Sequence, residues 1–297
     1  MKKVFVFGSM NMDLVISCPR EILQGETLHG SGFMTNGGGK GANQATACGK
    51  LGAHVMMGGC VGNDGFGDTL TKSLSECGVD ISAIRRVDGV STGVAVIVIV
   101  NHDNRIILDS GANSVADKED VDRLLRTAEP GDIFLTQLEN RTEIVGYALS
   151  AAKAKGMITV LNPAPSDTAV AEYLSCVDYF VPNEKEFYDF TGTDSIEDGA
   201  RALMRQGVGT VIVTLGSKGY AYFDGQTVHY EGCVDAEVVD TTAAGDTFCG
   251  AIVTKLAAGQ TIEEALRFAN RASAITVSRK GACQSIPTLD EVTALFG

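Results

Sequence analysis

Short apolar runs alternate with segments of helical periodicity along most of this 297-residue chain. The run Val4–Phe7 contains no polar residue, which is typical of a parallel strand buried on both faces. Residues 66–77 place apolar side chains at helical spacing, and Gly78 follows them where a helix would stop. We therefore expect strands and helices to follow one another as repeated βαβ units.

The same patterns continue through the rest of the chain. They predict strands at 54–58, 132–138, 157–161, 177–181 and 210–215. They predict helices at 41–51, 142–155, 168–174, 184–190, 195–206, 244–258 and 262–278. This order indicates an α/β fold in which a doubly wound, mostly parallel sheet is flanked by helices.

Two segments, 14–36 and 92–109, lack helical periodicity. The first contains two short extended pieces, and the second has two β-branched runs joined by the polar turn 101–104. Together they predict a small antiparallel β sheet that projects from the main sheet, where it would serve as a lid or as an interface between subunits. We expect one domain over 1–297, with this lid inserted in it.

The composition excludes several classes of partner. The chain has 24 Lys and Arg against 37 Asp and Glu, and this net charge of −13 disfavours nucleic acid and anionic membrane surfaces. Its longest apolar run, 94–100, is too short to span a bilayer, and the N-terminus lacks a signal-peptide core, so we expect a cytoplasmic protein. The eight cysteines do not have zinc-ligand spacing.

The segment 239–251 carries the strongest candidate chemistry. The small residues Ala243, Ala244 and Gly245 precede Asp246, which falls at the start of a predicted helix. Small residues let backbone amides approach an anion, and a helix N-terminus adds partial positive charge, so phosphate could bind here. A carboxylate at this place can take a proton from an attacking hydroxyl. The alternative is that Asp246 is only a favourable acid in the first turn of the helix.

Two further segments carry polar groups beside flexible backbone. Residues 36–45, NGGGKGANQA, fit neither the Walker spacing nor a dinucleotide-binding fingerprint. Their glycines permit close approach to a polyhydroxy ligand, and Asn43 offers both a donor and an acceptor. Asn11 and Asp13 follow the first strand and could bind vicinal hydroxyls, although an ordinary turn would explain them equally.

Eight segments of the chain occur in an order that is known from one family of enzymes. They are GSMNMD (8–13), GGGKGANQA (37–45), QLE (137–139), NPAP (162–165), PNEKE (182–186), TLGSKG (214–219), DTTAAGDTFCGA (240–251) and RKGACQSIP (279–287). In these segments the chain resembles the ribokinase-like, phosphofructokinase-B type carbohydrate kinases. The resemblance runs from residue 4 to residue 287.

The resemblance assigns roles to residues of this chain. It implies that Asp246 is the base that deprotonates a sugar hydroxyl, while the amides of Ala243, Ala244 and Gly245 form an anion hole for the transferred phosphoryl group. Many family members have glycine where Ala243 stands, and we expect alanine to donate the same amide. The positions that would contact the sugar are Asn11, Asp13, Gly39, Lys40, Asn43 and Glu139, together with Asp246.

The resemblance also implies sites for ATP, Mg²⁺ and K⁺. Positions for the nucleotide and Mg²⁺ are Asn183, Glu186, Thr214, Gly216, Gly219, Gly245 and, beside the adenine, Asn270. Positions for a monovalent cation, expected to be K⁺, are Asp240, Thr242, Thr276, Arg279, Gly281 and Ser285, mostly through backbone carbonyls. Alternatives remain open, since Asn183 and Glu186 have the spacing of a helix capping box, Asn270 could be an ordinary polar helix residue, and Gly281 could mark a plain turn.

The family pattern predicts an ATP-dependent kinase for the primary hydroxyl of a pentose, with D-ribose as the expected acceptor, and a homodimer formed through the β lid. The alternatives within the same class are deoxyribose, fructose, a ketodeoxy acid or a nucleoside as acceptor. An alternative from another class is a non-catalytic sugar or nucleotide sensor on the same fold, which would have no need of a base at Asp246.

Overall fold

The computed structural model describes residues 1–101 and 103–296. The strands are β1 (Val4–Phe7), β2 (Asn11–Cys18), β3 (Ser31–Gly38), β4 (Val55–Gly62), β5 (Val79–Val87), β6 (Gly93–Val100), β7 (Asp103–Asp109), β8 (Ile133–Thr136), β9 (Ile158–Leu161), β10 (Tyr179–Phe180), β11 (Thr210–Thr214), β12 (Tyr220–Phe223) and β13 (Val228–Glu231). The α-helices are α1 (Lys40–Lys50), α2 (Gly65–Glu76), α3 (Lys118–Leu124), α4 (Thr142–Ala154), α5 (Glu184–Thr191), α6 (Ile196–Arg205), α7 (Ala244–Ala257), α8 (Ile262–Val277) and α9 (Leu289–Phe296).

The main sheet has nine strands in the order β13-β12-β11-β10-β9-β8-β1-β4-β5. Its pairs are parallel from β11 to β5, and only β12 and β13 are antiparallel additions at one edge. The doubly wound, mostly parallel sheet predicted from the alternation of patterns is thus confirmed. In such sheets ligands bind beyond the carboxyl ends of the strands.

Each central strand contributes to a hydrophobic core on both faces of the sheet. In β1, Val4 and Val6 belong to the core formed with α1, α7 and α8, while Phe5 and Phe7 belong to the opposite core with α3 and α4. All four side chains have no exposed surface. Because successive side chains point to opposite faces, a strand covered on both sides has to be apolar throughout, which explains the unbroken run.

The second sheet has four strands in the order β3-β2-β6-β7. The outer pairs are antiparallel, as predicted, but the two central strands, β2 and β6, run parallel to each other. β2 follows β1 after three residues and β6 follows β5 after five, and β1 and β5 run in the same direction in the main sheet. The predicted hairpin of β6 and β7 is present. His102, which belongs to the turn predicted at 101–104, lies outside the described residues.

Several local expectations need correction. The segment predicted as a helix at 168–174 is a 3₁₀ helix over Thr168–Cys176. Strands β5, β12 and β13 and helices α3 and α9 were not predicted. In the part of the chain that the structure describes, no helix is long and apolar enough to cross a membrane.

Candidate active site

The site begins where three glycines allow the end of β1 to meet the start of α1. A Cβ on Gly41 would lie 2.6 Å from the carbonyl carbon of Gly8, and a Cβ on Gly39 would lie 2.8 Å from the backbone nitrogen of Asn11. Gly39 also has a φ of 88°, which favours glycine. The glycine-rich segment is therefore a close crossing of backbones that holds the first turn of α1 over the end of β1.

Asp246 lies in the first turn of α7, as the sequence indicated, and is 7% exposed. Ala243 precedes this helix in the left-handed conformation, with φ 61° and ψ 7°. Alanine pays about 1 kcal/mol for that conformation, whereas glycine adopts it freely. The substitution of alanine at a position where many family members have glycine thus places backbone strain beside the candidate base.

The amides before Asp246 differ in how they are engaged. The Ala244 amide donates to the carbonyl of Thr241 at 3.2 Å, within its own turn. Within residues 1–101 and 103–296, the amides of Ala243 and Gly245 donate to no protein acceptor. Two of the three amides assigned to the anion hole are therefore free to bind phosphate in this conformation.

Asp246 opens into a cavity of about 290 Å³. Besides Asp246, the candidate residues that line this cavity are Lys40, Asn183, Glu186, Thr214, Ala243, Ala244 and Gly245. The structure therefore brings the predicted base, the predicted anion hole and part of the predicted nucleotide site around one space. Asn162 and Cys249, which the sequence did not single out, line it as well.

Both carboxylate oxygens of Asp246 accept hydrogen bonds from side chains of α1. Asn43 Nδ2 donates to Oδ2 at 2.9 Å, and Gln44 Nε2 donates to Oδ1 at 3.0 Å. The oxygen of the Asn43 amide in turn accepts from the Cys283 thiol at 3.1 Å. Burial raises the pKa of Cys283 to about 12, so this thiol keeps its proton and remains a donor.

Lys40 supplies the positive charge of the site. Burial by itself would lower its pKa, but the carboxylates of Asp246, Glu139 and Glu186 outweigh burial and raise the pKa above its usual value. The ammonium group therefore remains charged. In a protein of net charge −13, this local cation offers attraction for the phosphates of a nucleotide.

Of the candidate sugar-binding residues, Lys40 and Asp246 line this cavity, whereas Asn11, Asp13, Gly39, Asn43 and Glu139 do not. Asn43 is joined to Asp246 by a hydrogen bond, and Glu139 to the Lys40 amide. The Lys40 amide donates to Glu139 Oε2 at 3.0 Å, and Ser9 Oγ donates to the same oxygen. Asn11 is 3% exposed, and its side-chain oxygen accepts from Asn113 Nδ2 at 2.8 Å. Asn113 also bonds both the amide and the carbonyl of Met10. It therefore fixes the orientation of Asn11, which no feature of the sequence indicated.

Asp13 has an unusual carboxyl group. It pairs with Asn36 of β3 in the sheet register, and a Cβ on the nearby Gly38 would lie 2.4 Å from its Oδ2. No donor reaches its carboxylate in the part of the chain that the structure describes. Burial, and secondarily the charge of Glu139, raises the pKa of Asp13 to about 7. A half-buried carboxylate without a donor is costly, and it suits a group that exchanges water for ligand hydroxyls.

The motif at 182–186 forms the capping box that its spacing allowed. Asn183 Oδ1 accepts from the Glu186 amide at 2.8 Å, and Glu186 Oε2 accepts from the Asn183 amide at 2.9 Å. Glu186 is 8% exposed, and burial raises its pKa above the usual value despite that bond and the charge of Lys40. Both residues also line the cavity, so their place in the capping box leaves them available to a nucleotide or Mg²⁺.

The other nucleotide candidates lie in two groups. Thr214 ends β11 beside Asn183, and its amide donates to Pro182 at 2.9 Å. Gly216 and Gly219 have φ values of 56° and 95° in the turn that follows. Asn270 Nδ2 donates to the Gly232 carbonyl at 2.7 Å. Gly216, Gly219 and Asn270 do not line the cavity around Asp246.

The six cation candidates form smaller groups around Asp240. Its Oδ1 accepts from Thr242, while its Oδ2 accepts from the Gly281 amide at 3.0 Å. Burial acts to raise the pKa of Asp240, but these hydrogen bonds lower it below the usual value. Elsewhere, Thr276 accepts the Arg279 amide at its carbonyl, Arg279 pairs with Glu291, and Ser285 Oγ donates to the Ala282 carbonyl.

Comparisons with known proteins define the class to which this site belongs. A family model described as pfkB family carbohydrate kinase matches residues 1–289. The chain is 40% identical to the ribokinase of Schizosaccharomyces pombe, over 100% of this chain and 98% of that protein. It is 33% identical to a deoxyribokinase of Salmonella typhi, over 97% and 96% of the two chains.

A solved structure extends the similarity to three dimensions. The structure of Arabidopsis thaliana ribokinase complexed with ribose and ATP has a TM-score of 0.90 to this chain at 33% identity, covering 99% of this chain and 98% of that one. The chain belongs to the pfkB family of carbohydrate kinases. The family resemblance carried by the eight sequence segments is thereby confirmed.

The raised pKa of Asp13 implies that the free energy of unfolding depends on pH. The pKa of an unfolded aspartate is about 3.9, so the raised folded value means that folding becomes less favourable as pH rises from about 4 to about 7. We expect Asp13→Asn to raise the unfolding free energy by about 2–4 kcal/mol at pH 8 and to change it little at pH 4. Denaturant melts at both pH values measure this. The exposed Asp194→Asn is the control, and equal effects of Asp13→Asn at both pH values would contradict the prediction.

Proposed function

We propose that this protein transfers the γ-phosphate of ATP to the primary hydroxyl of a pentose, with D-ribose phosphorylated at O5. The observation that carries the proposal is the buried Asp246 carboxylate at the N-terminus of α7, beside the free amides of Ala243 and Gly245. A base and an anion-binding backbone within one helical turn are what phosphoryl transfer to an alcohol requires. The relative whose structure holds ribose and ATP supports the choice of substrates.

In the proposed step the sugar oxygen forms a bond to the γ-phosphorus, and the bond from that phosphorus to the bridging oxygen of ADP breaks. The hydroxyl proton passes to the Asp246 carboxylate, from which it is later released to water. The amides of Ala243 and Gly245 and the Lys40 ammonium stabilise charge on the transferring group. Asn11, Asp13, Gly39, Asn43 and Glu139 hold the sugar so that its hydroxyl faces the phosphate.

The four-stranded sheet supplies the proposed lid. It carries Asn11 and Asp13 on β2, opposite Gly38 and Asn36 of β3, so its strands border the sugar residues. Covering the sugar excludes water, which would otherwise compete as the acceptor of the phosphoryl group.

The residues present fit the two cations proposed for the site. Glu186 is a buried carboxylate facing the cavity, and Mg²⁺ typically uses one or two carboxylates together with phosphates and waters. Bound there, Mg²⁺ would neutralise phosphate charge. We propose that the nucleotide lies along Asn183, Glu186, Thr214, Gly216, Gly219 and Asn270. Thr242 and Gly281 contact Asp240, and a hard cation such as K⁺ prefers oxygen ligands. We propose that K⁺ is held by oxygens, mostly backbone carbonyls, of Asp240, Thr242, Thr276, Arg279, Gly281 and Ser285.

A kinase for deoxyribose is the second candidate, because a deoxyribokinase is among the relatives at 33% identity. Fructose, a ketodeoxy acid or a nucleoside as acceptor would use the same base. A sensor without catalytic activity on the same fold would not need a buried carboxylate at Asp246, held by the side-chain amides of Asn43 and Gln44.

The base and the acceptor are tested together. We expect Asp246→Asn to lower kcat at least about 100-fold, because a general base contributes about 10²–10⁴-fold. The measurement is ADP release by a coupled assay over ribose, deoxyribose, fructose, a ketodeoxy acid and a nucleoside, with Asp194→Asn as the control. Turnover of Asp246→Asn within a few-fold of wild type would refute the base, and a nucleoside preference with ribose inactive would refute the sugar.

The cations are tested by replacement. We expect chelation of Mg²⁺ with EDTA to abolish turnover, and we expect activity to fall when K⁺ is replaced by tetramethylammonium at equal ionic strength. Asp240→Asn should remove the K⁺ dependence. Equal activity in the two salts would reject the monovalent site without affecting the proposal for the base.

We also propose that the small sheet joins two copies of the chain. Its edge strands β3 and β7 expose Phe33, Met34, Ile106, Ile107 and Leu108, with exposures of 65%, 53%, 60%, 70% and 46%. Apolar side chains on a sheet edge are normally covered, and a second copy would cover them.

The dimer is tested by light scattering after gel filtration. We expect Ile107→Lys to convert a dimer into a monomer, because a charge on the proposed contact would have to be buried. Leu295→Lys, on α9 at 64% exposure, is the control and should leave the dimer intact. A wild-type protein that is a monomer at micromolar concentration would contradict the proposal.

A further inference from the structure

A chain of buried side-chain amides ends on Asp246. Gln137 Nε2 donates to Gln44 Oε1 at 2.6 Å, and Gln44 Nε2 donates to Asp246 Oδ1 at 3.0 Å. Gln44 is completely buried and Gln137 is 1% exposed. Gln137 follows β8 directly, so the chain of amides runs from the carboxyl end of the main sheet through α1 to the first turn of α7.

The orientation of the Gln44 amide is fixed at each of its atoms. Its nitrogen also donates to Asn162 Oδ1 at 3.0 Å, and Asn162 is itself held by a bond from its Nδ2 to the Val181 carbonyl at 2.9 Å. A reversed Gln44 would place its oxygen against the oxygens of both Asp246 and Asn162. It would also place its nitrogen against the donor of Gln137. Only one orientation of Gln44 therefore satisfies its neighbours.

The position in which Gln137 donates to Gln44 leaves its own side-chain oxygen unpaired. Its Oε1 is buried and has no hydrogen-bond partner among the described residues. A Cβ on Gly8 would lie only 2.1 Å from this oxygen, so Gln137 can adopt its position only because residue 8 is glycine. An unpaired buried carbonyl is uncommon and destabilising, and it is tolerated where the rest of the group serves a purpose.

We propose that Gln44 and Gln137 are positioning residues that act through Asp246. Gln137 holds the Gln44 amide with its nitrogen toward Asp246, and Gln44 holds the Asp246 carboxylate, together with Asn43, in the orientation that receives the sugar proton. The inference rests on the proposed role of Asp246 as the base. In this role Gln44 and Gln137 affect the rate of phosphoryl transfer and not the binding of the sugar.

The first test separates kcat from KM. Gln44→Met keeps the approximate length of the side chain and removes the donor. We expect kcat to fall about 10- to 100-fold, as for the loss of a hydrogen bond to a charged group, with KM for ribose within about threefold of wild type. Gln44→Glu keeps the shape and places a second carboxylate against Asp246, so we expect at least as large a loss of kcat.

The second test uses a double-mutant cycle. In its ionised form Gln137→Glu presents only acceptors, so at pH values where it is ionised Gln44 should reverse and turn its oxygen toward Asp246, whereas the protonated form would still donate to Gln44 Oε1. We expect kcat to fall about 10- to 100-fold in this variant, although residue 137 does not touch Asp246. In a Gln44→Met background the same change should alter kcat by less than about twofold, because no amide remains to be reversed. A purely structural effect would instead multiply in the double variant.

Controls keep the outcome independent of folding. Thr136→Val removes a buried hydroxyl that has no partner among the described residues, one position before Gln137, and should leave kcat within about twofold of wild type. Thermal unfolding of every variant shows whether it folds. If Gln137→Glu does not, Gln137→Met replaces it, with an expected loss of kcat of about 3- to 10-fold that also vanishes in the Gln44→Met background.

The outcomes distinguish this inference from the proposed function. If wild type is active, Asp246→Asn is inactive and folded Gln44→Met retains the kcat of wild type, the inference is wrong and the base stands. Multiplicative losses in the cycle, or a change confined to KM, would also overturn it. If wild type phosphorylates no sugar, or Asp246→Asn stays active, the proposed function fails and this inference fails with it.

Discussion

The contact between α1 and α7 is the constraint on which the candidate active site depends. These helices begin about 200 residues apart in the chain, at Lys40 and Ala244. They approach closely because Gly250 of α7 has no side chain where it faces Ala47 of α1. A Cβ on Gly250 would lie 2.5 Å from the Cβ of Ala47. That approach places the amides of Asn43 and Gln44 on the Asp246 carboxylate. Without this contact the segments 36–45 and 239–251 would be separate polar loops.

The charge that faces a nucleotide is set by groups within the site and does not follow from the acidic surface of the protein. Lys40 lies among Asp246, Glu139 and Glu186, and those carboxylates keep it protonated despite burial. Lys40 is one cation among three carboxylates, so the positive potential that meets a phosphate also comes from the free amides of Ala243 and Gly245 at the N-terminus of α7. This explains how a chain with a net charge of −13 can attract an anionic nucleotide, since attraction at the site does not depend on the total charge.

Much of the fold followed from the sequence because buried parallel strands leave an unmistakable apolar run, as Val4–Phe7 does. Strand β5 was missed because it alternates buried and exposed positions at the edge of the sheet and includes Arg85 and Arg86. The segment 168–174 was expected to be a helix, and its composition does not distinguish an α-helix from the 3₁₀ helix observed over Thr168–Cys176. The family motifs named Asp246 and Asn43, but Gln44, Gln137 and Asn113 gained their roles only from contacts across 93 to 202 residues of sequence.

If Asp246 activates the primary hydroxyl of ribose for attack on ATP, the new phosphate lies on O5. The proton-coupled ³¹P NMR spectrum of the product formed from ribose and ATP reports this position. Phosphate on O5 is adjacent to a CH₂ group, so we expect a ³¹P signal coupled to two protons. A signal coupled to a single proton would place the phosphate on a secondary or anomeric hydroxyl and would refute the proposed transfer.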